Sequence, residues 1–370
     1  MKQVRVGLIG CGAISGAYLT YARNFPILEM AACADINPDA ARRRAEEFGV
    51  ARACSVDELL KDDSIEIVLN LTIPRAHVPV SLKAIKAGKH VYCEKPLGVN
   101  RAEGLKVIAA AKKARLRVGC APDTFMGAGI QTARKLLDDG AIGKPVAFTA
   151  FMMCPGHESW HPSPEFYYDI GGGPMLDMGP YYLTALLNLL GPVKRIGGAA
   201  SIAIPQRTIT HKDKATGGPG PKFGNKIKVK TPDHICGTME FKNGALGTII
   251  TSFATRFPTY DGKQPITIYG TDGTMRVPDP NHFDGPVHVR KADDPDWIEA
   301  AHQFPTGYGR AVGLADMAEA IRSKRKHRAS GEQAFAALDL MQGFLDSART
   351  GKVYSPKSPY SRPEPMDQHI

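Results

Sequence analysis

The sequence contains no long hydrophobic run. In its 370 residues, no stretch approaches the roughly 18–20 consecutive apolar residues that a membrane-spanning helix needs. The chain runs from Met1 almost directly into an apolar segment typical of a strand, which leaves no room for the apolar region and cleavage site of a signal peptide. We therefore expect a cytoplasmic protein without a membrane partner.

Paired cysteines are absent as well. The seven cysteines are scattered singly, and no two of them have the Cys-x-x-Cys spacing. An odd number of isolated thiols, mostly within apolar runs, favours reduced and buried side chains over disulfides or a zinc site. We expect no metal site.

The chain carries a net charge of +10, but it has no basic stripe with interleaved aromatic residues. Its basic residues lie on a predicted helix at 42–44, in a predicted loop at 222–230 and near the C-terminus at 324–328. This spread is typical of solvated surfaces and, secondarily, of proteins that attract anionic ligands. We expect no nucleic-acid partner.

Through residues 1–124, strand-like and helix-like segments alternate. Asn37-Pro38-Asp39 has the order of a helix start, and Ser55 with Glu58 has the spacing of a capping box. The alternation predicts an α/β domain with a doubly wound parallel sheet. The predicted strands lie near 4–9, 28–34, 65–72, 90–93 and 117–121, and one of the predicted helices spans about 77–88.

After residue 125 the strand-like runs follow one another directly. Asn243-Gly244 and Asp272-Gly273 lie between such runs and are strong signals for hairpin turns. We predict a second, α+β domain over residues 125–370, with a mostly antiparallel sheet, a helix at 174–190 on one face and a long, mobile loop at 205–232. The other predicted helices lie at 129–139, 310–325 and 331–349, and the strands at 146–154, 194–203, 234–242, 245–256, 264–270, 273–277 and 285–290.

A glycine-rich turn follows the first predicted strand and opens the first predicted helix. Gly10 permits a tight turn, and Gly12 lets backbone N–H groups approach a pyrophosphate at the helix N-terminus. We place Ala13 and Ile14 at the same contact. The third position of the fingerprint holds Ser15 rather than Gly or Ala, but the strand–turn–helix context still predicts a dinucleotide site.

Asp35 ends the second predicted strand. A carboxylate at this place can accept hydrogen bonds from an adenosine ribose, and it repels a 2′-phosphate. We therefore expect NAD rather than NADP as the cofactor. The arginines at 42–44 come late in the following helix for a phosphate clamp.

Four motifs occur in register along the chain: Gly10-Cys11-Gly12, residues 70–77 (Asn-Leu-Thr-Ile-Pro-Arg-Ala-His), residues 88–96 with their Glu-Lys-Pro ending, and residues 171–173 (Gly-Gly-Gly) followed by Asp177. Together they resemble the Gfo/Idh/MocA family, named for glucose–fructose oxidoreductase, inositol dehydrogenase and rhizopine catabolism. The resemblance covers essentially the whole chain. It implies an N-terminal Rossmann domain, a C-terminal domain whose open-faced sheet carries the substrate site, and a homodimer or homotetramer.

The resemblance also implies which residues contact the cofactor. Thr72, Pro74 and His77 belong to the second motif, and Glu94 of the third could contact the cofactor ribose. Asp123 follows the predicted strand at 117–121, where a loop could meet the nicotinamide.

Lys95 lies at the carboxyl end of a predicted parallel strand, the edge at which such sheets bind ligands. A partly buried ammonium beside a positively charged nicotinamide would have a lowered pKa and could accept a proton. The residues alone leave a surface lysine paired with Glu94 equally open. With the resemblance, Lys95 becomes the leading catalytic candidate, and we expect it to contact both the cofactor and the substrate.

Asp177 and Tyr181 are the remaining catalytic candidates. Family members commonly carry His four positions after this Asp, whereas glucose–fructose oxidoreductase itself carries Tyr, as this chain does. We assign Asp177 to binding and orienting substrate hydroxyls and Tyr181 to acid–base chemistry, with an ordinary core tyrosine as the alternative. The two residues would share a helix face, although Pro180 indicates that the regular helix begins only there.

A polar and aromatic loop precedes the three glycines. Trp160 could stack on a sugar ring and His161 could contact its hydroxyls, or the loop could simply be exposed to solvent. His157 and Glu158 with His161 could also suggest a metal site. The surrounding prolines argue against it, and hydride transfer needs no metal.

These residues favour an NAD(H)-dependent dehydrogenase that acts on a hydroxyl-bearing carbon of a sugar, glycoside or cyclitol, with Lys95 as the acid–base group. One alternative is a redox-assisted glycosidase or lyase that recycles a tightly bound NAD. The other is a non-catalytic, NAD-dependent sugar sensor, against which the intact Glu94-Lys95-Pro96 and Asp177 argue.

Overall fold

A computed structural model describes residues 2–213, 215–258 and 261–367. Within these residues no helix has both the length and the apolar character needed to cross a membrane. All seven cysteines are free thiols.

The N-terminal third forms a six-stranded parallel sheet flanked by helices. Its elements are β1 (Val4–Ile9), α1 (Ala13–Ala22), β2 (Leu28–Ala34), α2 (Pro38–Phe48), β3 (Ala53–Cys54), α3 (Val56–Lys61), β4 (Ile67–Asn70), α4 (Pro74–Lys86), β5 (His90–Cys93), α5 (Arg101–Ala114) and β6 (Val118–Cys120). The strand order β3-β2-β1-β4-β5-β6 reverses at β1, so the carboxyl ends of β1 and β4 border a ligand crevice. The predicted doubly wound parallel sheet is confirmed.

Local signals explain where several of these helices begin. The Asn37 side chain accepts a hydrogen bond from the Asp39 N–H, and Ser55 and Glu58 form the predicted capping box. Helix α4 begins at Pro74, three residues before the predicted start, because proline is well suited to the first turn of a helix. The two-residue strand β3 was not predicted, since so short a strand leaves no periodic pattern.

The rest of the chain builds a second, eight-stranded sheet. Its elements are α6 (Ala128–Asp138), β7 (Pro145–Met153), α7 (Pro174–Asp177), α8 (Gly179–Leu190), β8 (Val193–Ser201), β9 (Gln206–Thr208), β10 (Lys226–Lys228), β11 (His234–Phe241), β12 (Leu246–Ser252), β13 (Ile266–Gly270), β14 (Gly273–Val277), β15 (Val287–Lys291), β16 (Ile298–Ala300), α9 (Val312–Ser323) and α10 (Gly331–Thr350). The order is β16-β15-β14-β13-β7-β12-β11-β8, and every pair is antiparallel except β7 with β12. The sheet is thus mixed but mostly antiparallel, as predicted.

Two predicted segments differ from the structure. The predicted helix over 174–190 breaks at Met178 into α7 and α8, since Pro180 cannot continue the hydrogen bonding of the first segment. The segment 205–232 was predicted as a mobile loop, but β9 and β10 pair within it as a short antiparallel ribbon. Arg207 of β9 is buried and donates to Asp233 and to the carbonyl of Phe253, which ties the ribbon to the main sheet.

The C-terminal helices return to the N-terminal sheet. The Cys120 N–H donates to the carbonyl of Ala329, and α9 and α10 both pack against β6. On α5, the Arg101 Nε donates to Asp339 of α10 at 2.5 Å and its Nη1 to Asp346 at 2.6 Å. Helix α10 also packs on β8 of the second sheet. The C-terminal helices therefore fix the two sheets relative to each other.

Asp339 should contribute far more to stability than Asp346, although both carboxylates pair with Arg101. Asp339 is 1% exposed and also accepts from the Tyr354 hydroxyl, whereas Asp346 is 41% exposed. We expect Asp339→Ala to lower the free energy of unfolding by about 3–5 kcal/mol, because it leaves buried donors unpaired. Asp346→Ala should cost less than about 1 kcal/mol. Urea denaturation followed by circular dichroism measures both, and equal losses would contradict this assignment.

Candidate active site

The site is organised around an ion pair between the two sheets. Lys95 follows β5, and its Nζ lies 2.9 Å from the Asp177 Oδ1 and 2.8 Å from the Asp177 carbonyl oxygen. The two side chains are only 17% and 22% exposed. Two of the three predicted catalytic residues therefore meet directly, although 82 positions separate them in the sequence.

Close backbone packing places Asp177. Gly173 has φ +88°, and a Cβ there would lie 2.8 Å from the carbonyl oxygen of Pro232. At Gly172 a Cβ would lie 2.5 Å from the carbonyl oxygen of Phe166. Only glycine fits between these backbone segments, and the short helix α7 that follows carries Asp177 to Lys95.

The ion pair fixes the charges of both partners. Burial by itself favours the neutral amine, but the Asp177 carboxylate raises the pKa of Lys95 well above its usual value. Burial likewise opposes the ionisation of Asp177, yet the Lys95 ammonium outweighs it and lowers the pKa of Asp177 to about 2. The lowered pKa expected of Lys95 concerned the ammonium beside a positively charged nicotinamide, and it stays a prediction. Lys95 is an ammonium ion here.

His157 is the third group at this centre. Its Nε2 lies 3.6 Å from the Asp177 Oδ2, and its Nδ1 accepts a hydrogen bond from the Trp160 Nε1 at 3.2 Å. Because Nδ1 is an acceptor, Nε2 carries the hydrogen and points it towards Asp177. The rings of Tyr167 and Phe253 pack against the imidazole with centroids 4.1 and 4.3 Å away.

The predicted substrate contacts Trp160 and His161 lie farther out. Trp160 is 53% exposed, so part of its indole face is open to a ligand. The His161 Nδ1 accepts from the Ser163 N–H, and burial lowers the pKa of its imidazole. His161 packs on the Trp160 ring at 5.4 Å, whereas it is His157 that reaches Asp177.

Tyr181 stands beside Lys95 despite the helix break. The Lys95 Nζ lies 5.1 Å from the centroid of the Tyr181 ring. The Tyr181 hydroxyl accepts a hydrogen bond from Arg310 Nη2 at 2.9 Å. Tyr182 instead donates its hydroxyl hydrogen to the Phe151 carbonyl. Tyr181 is therefore the tyrosine that the fold places among the candidate catalytic groups.

The glycine-rich turn has the geometry of a dinucleotide cradle. Gly10 has φ +104°, and a Cβ there would lie 2.6 Å from the backbone of Leu71, so the tight turn requires glycine. A Cβ on Gly12 would meet no heavy atom within 4 Å. The N-terminal N–H groups of α1, including those of Ala13 and Ile14, follow at once, and no acidic residue occupies the first helical turn. An open surface with exposed helix N–H groups fits a pyrophosphate.

Asp35 lies next to this turn, held by backbone N–H groups. Its Oδ2 accepts from the Cys11 N–H at 2.7 Å and its Oδ1 from the Asn37 N–H at 2.8 Å. A carboxylate retains further lone pairs for ribose hydroxyls. Arg44 lies late in the following helix and was therefore not expected at the site. Its guanidinium nevertheless donates to the Gly12 carbonyl at 3.3 Å.

His77 is buried behind the second motif rather than on its surface. Its Nδ1 lies 2.7 Å from the Pro96 carbonyl oxygen and its Nε2 lies 2.9 Å from the Thr72 carbonyl oxygen. Since both partners can only accept, both ring nitrogens must donate, and the ring is an imidazolium. Thr72 lies in the loop before α4, and Pro96 lies in the loop after β5. The His77 ring therefore links the two loops, and its contact with the cofactor stays a prediction.

Glu94 and Asp123 also point into the protein. Glu94 accepts from the Tyr18 hydroxyl at 2.9 Å and from the Lys95 N–H at 2.9 Å. Asp123 is fully buried and accepts from the Gly313 N–H at 3.1 Å. Burial raises the pKa of Asp123 to about 6, although Arg310 opposes the rise. Both carboxylates thus bond to groups of the protein, and the cofactor contacts expected of Glu94 and Asp123 stay predictions.

Two family models match this chain. A family model described as an oxidoreductase family with an NAD-binding Rossmann fold matches residues 4–121. A second model, described as a GFO/IDH/MocA C-terminal domain, matches residues 130–276. The chain belongs to the Gfo/Idh/MocA family. It is therefore an oxidoreductase of that family with an NAD-binding Rossmann fold, as the four motifs predicted.

Three relatives of this Gfo/Idh/MocA oxidoreductase are named as dehydrogenases or reductases of a sugar or cyclitol. The myo-inositol 2-dehydrogenase of Thermotoga maritima is 27% identical over 277 residues, 74% of each chain. The 1,5-anhydro-D-fructose reductase of Ensifer adhaerens is 25% identical over 358 residues, 94% of this chain and 97% of its own. The levoglucosan dehydrogenase of Pseudarthrobacter phenanthrenivorans is 27% identical over 300 residues, 74% of this chain and 73% of its own.

Solved structures share the fold of this family member. Levoglucosan dehydrogenase without ligand superposes with a TM-score of 0.81 at 22% identity, covering 97% of this chain and 100% of the other. The aldose–aldose oxidoreductase of Caulobacter crescentus gives 0.78 at 20% identity, covering 96% and 100%. At such low identity the likeness is one of fold.

Sequence reasoning missed two groups of this oxidoreductase's site. His157 was considered only as a metal ligand, and Arg310 was placed inside a predicted helix over 310–325, whereas α9 begins at Val312. The aromatic residues that follow His157 in the sequence could have indicated that its ring is packed inside the site rather than exposed. Nothing in the local pattern around Arg310 indicated its contact with Tyr181, because that contact joins residues 129 positions apart.

His77 should make the stability of the protein depend on pH. Burial alone would lower the pKa of its imidazole, but the Cys93 sulfur and the two carbonyls outweigh burial and raise it to about 9. A folded-state pKa above the unfolded value of ~6.5 stabilises the protein fully below ~6.5, and this stabilisation is lost as pH rises through about 9. We expect the contribution to be on the order of 3 kcal/mol.

The test compares wild type with His77→Asn by urea denaturation across this range. The difference in unfolding free energy should be large below the unfolded pKa and should shrink above the folded one. His282→Asn, which alters an exposed histidine, is the control and should follow wild type throughout. A difference that does not change with pH would show that His77 is neutral in the folded protein.

Proposed function

We propose that this chain is an NAD(H)-dependent dehydrogenase that acts on a hydroxyl-bearing carbon of a sugar, glycoside or cyclitol, with Lys95 as the acid–base group. The observation that carries the proposal is the Lys95–Asp177 ion pair, which lies at the same carboxyl edge of the parallel sheet as the glycine-rich turn. The names of the relatives support the substrate class, since inositol, anhydrofructose and levoglucosan are all polyhydroxylated rings.

Bound NAD(H) would supply the hydride acceptor or donor. The chain handles the proton. In the direction of reduction, the Lys95 ammonium would give one proton from Nζ to the carbonyl oxygen of the substrate, whose carbonyl carbon would take the hydride. Oxidation is the reverse and begins from the neutral amine, which like-charge repulsion favours when the oxidised, cationic cofactor is bound alongside.

The other groups bind and orient the substrate. Asp177 stays ionised, because its pKa is lowered to about 2, and therefore can only accept hydrogen bonds from substrate hydroxyls. The His157 Nε2 offers a hydrogen at the same place, and the exposed face of Trp160 can pack on the apolar face of a sugar ring. Tyr181 provides the second acid–base group next to Lys95.

We further propose NAD over NADP, a homodimer or homotetramer, and a cytoplasmic location. Asp35 supports the first, because its charge repels a 2′-phosphate. The second is supported by the open face of the larger sheet, where alternate residues of β7 and β11 are only partly buried. The neighbouring Arg44 makes the cofactor preference worth a direct test.

Lys95→Met should abolish turnover without abolishing cofactor binding. We expect kcat for NAD reduction, measured at the reduced-nicotinamide absorbance band across a panel of sugars, glycosides and inositols, to fall roughly 10²–10⁴-fold. NADH affinity, measured by nicotinamide fluorescence, should change by less than about fivefold. Lys194→Met, which removes an exposed lysine paired with Glu240, should keep full activity.

Other outcomes would reject the proposal. Substrate consumption without net NADH, with the nicotinamide retained by the protein, would indicate a redox-assisted glycosidase or lyase. Binding of sugars without any redox change would indicate a sensor. Full activity in Lys95→Met would remove Lys95 from the mechanism.

Asp35→Asn should relax the preference for NADH. The amide keeps the shape and one acceptor for the Cys11 N–H but loses the charge. We expect the ratio of the NADPH to the NADH dissociation constant to fall about tenfold or more. Asp39→Asn changes an exposed carboxylate of α2, paired with Arg42, and is the matched control. Equal affinity of wild type for both cofactors would overturn the assignment and point to Arg44 as a phosphate ligand.

A further inference from the structure

Arg310 lies where the C-terminal part of the chain crosses beneath the site. It precedes α9, between Gly309 and Ala311. A Cβ on Gly309 would lie 2.4 Å from the ring of Tyr21, and Ala311 is fully buried with φ +82°. A left-handed conformation is unfavourable for a residue that carries a Cβ. The surrounding contacts therefore hold this segment in one conformation.

The guanidinium joins three candidate site residues from two domains. Its Nη2 donates to the Tyr181 hydroxyl at 2.9 Å, and its Cζ lies 5.6 Å from the Tyr181 ring centroid. Its Nη1 lies 3.8 Å from Glu94 Oε1 and 3.8 Å from Asp123 Oδ1. The side chain is 14% exposed. Burial favours the neutral form, but Tyr181 and the two carboxylates raise the pKa of Arg310 further above its usual value, so it stays a cation.

This contact determines how Tyr181 uses its hydroxyl. An arginine has donors and no acceptor, so the Tyr181 oxygen accepts and its own hydrogen is left for another group. Within residues 2–213, 215–258 and 261–367, Arg310 is the hydrogen-bond partner that the Tyr181 hydroxyl has. The neighbouring Lys95 is also only a donor. The phenol hydrogen is therefore directed to a ligand that presents an oxygen beside Lys95.

We propose that Arg310 is a positioning residue that fixes Tyr181 as a hydrogen donor to the reacting oxygen of the substrate. The inference rests on the proposed dehydrogenase function and adds a residue outside both motifs that carry its catalytic groups. Two buried carboxylates attract the guanidinium from 3.8 Å, without a hydrogen bond to it. The guanidinium donates to the phenol oxygen. The phenol hydrogen is then left for the substrate. Donors fixed in this way stabilise the negative charge that develops on an oxygen in the transition state.

The test is a double-mutant cycle on Arg310 and Tyr181, with the substrate found in the panel above. Arg310→Met should lower kcat on the order of 10–100-fold while KM and the NADH dissociation constant change less than about threefold. In a Tyr181→Phe background the same substitution should change kcat by less than about twofold. Arg310→Lys, which keeps a cationic donor, should recover part of the lost kcat.

Arg322→Met is the matched control for the loss of a guanidinium that joins the domains. Arg322 lies on α9 and pairs with Glu66, away from Lys95 and Tyr181. Its removal should leave kcat within about twofold of wild type. Thermal melts of each variant show whether lost activity reflects unfolding.

Three results would overturn the inference. An Arg310→Met effect as large in Tyr181→Phe as in wild type would mean that Arg310 does not act through Tyr181. A large loss of NADH affinity would make it part of the cofactor site. A normal kcat in Tyr181→Phe would remove the phenol from the reaction. In each case the wild-type and Lys95→Met activities still stand as the separate test of the proposed function, and absence of any wild-type turnover would reject both proposals.

Discussion

A buried ammonium from one domain and a carboxylate from the other set the arrangement of the whole site. Lys95 and Asp177 each lose water on burial, and each keeps its charge because the other lies 2.9 Å away. Ion pairs of this kind add little net stability, since their attraction is largely offset by desolvation. Their value is in geometry: the pair forms only when the sheet edge after β5 and the glycine-bounded helix α7 meet.

This contact depends on the C-terminal helices packing against the N-terminal domain. The helices α9 and α10 pack against β6, and Asp339 joins α10 to Arg101 of α5. The same return brings Arg310 under the site. A single set of docking contacts therefore aligns Lys95 with Asp177, supports Tyr181 and closes the edge of the parallel sheet.

Around the ion pair, residues of the same chemical type differ in pKa or in hydrogen bonding because their surroundings differ. Two buried carboxylates differ, with the pKa of Asp177 lowered to about 2 and that of Asp123 raised to about 6, because an ammonium touches the first while burial dominates the second. Two histidines differ as well: His77 is an imidazolium between two carbonyls, while His157 turns one hydrogen towards Asp177. Burial and neighbouring charge, and not residue type alone, therefore decide how each of the two carboxylates ionises.

The sequence by itself determined the features that local chemistry encodes. Alternating apolar segments, helix caps and the required glycine at Gly10 specified the parallel sheet and its dinucleotide turn, and the Glu-Lys-Pro motif identified Lys95. Only the tertiary structure decided which distant groups meet: it brought His157 rather than His161 to Asp177, buried His77 and Asp123, and placed Arg310 on Tyr181. Spacing along a chain reports neighbours within one element, whereas a buried charge acquires its partner and its pKa from segments far away in sequence.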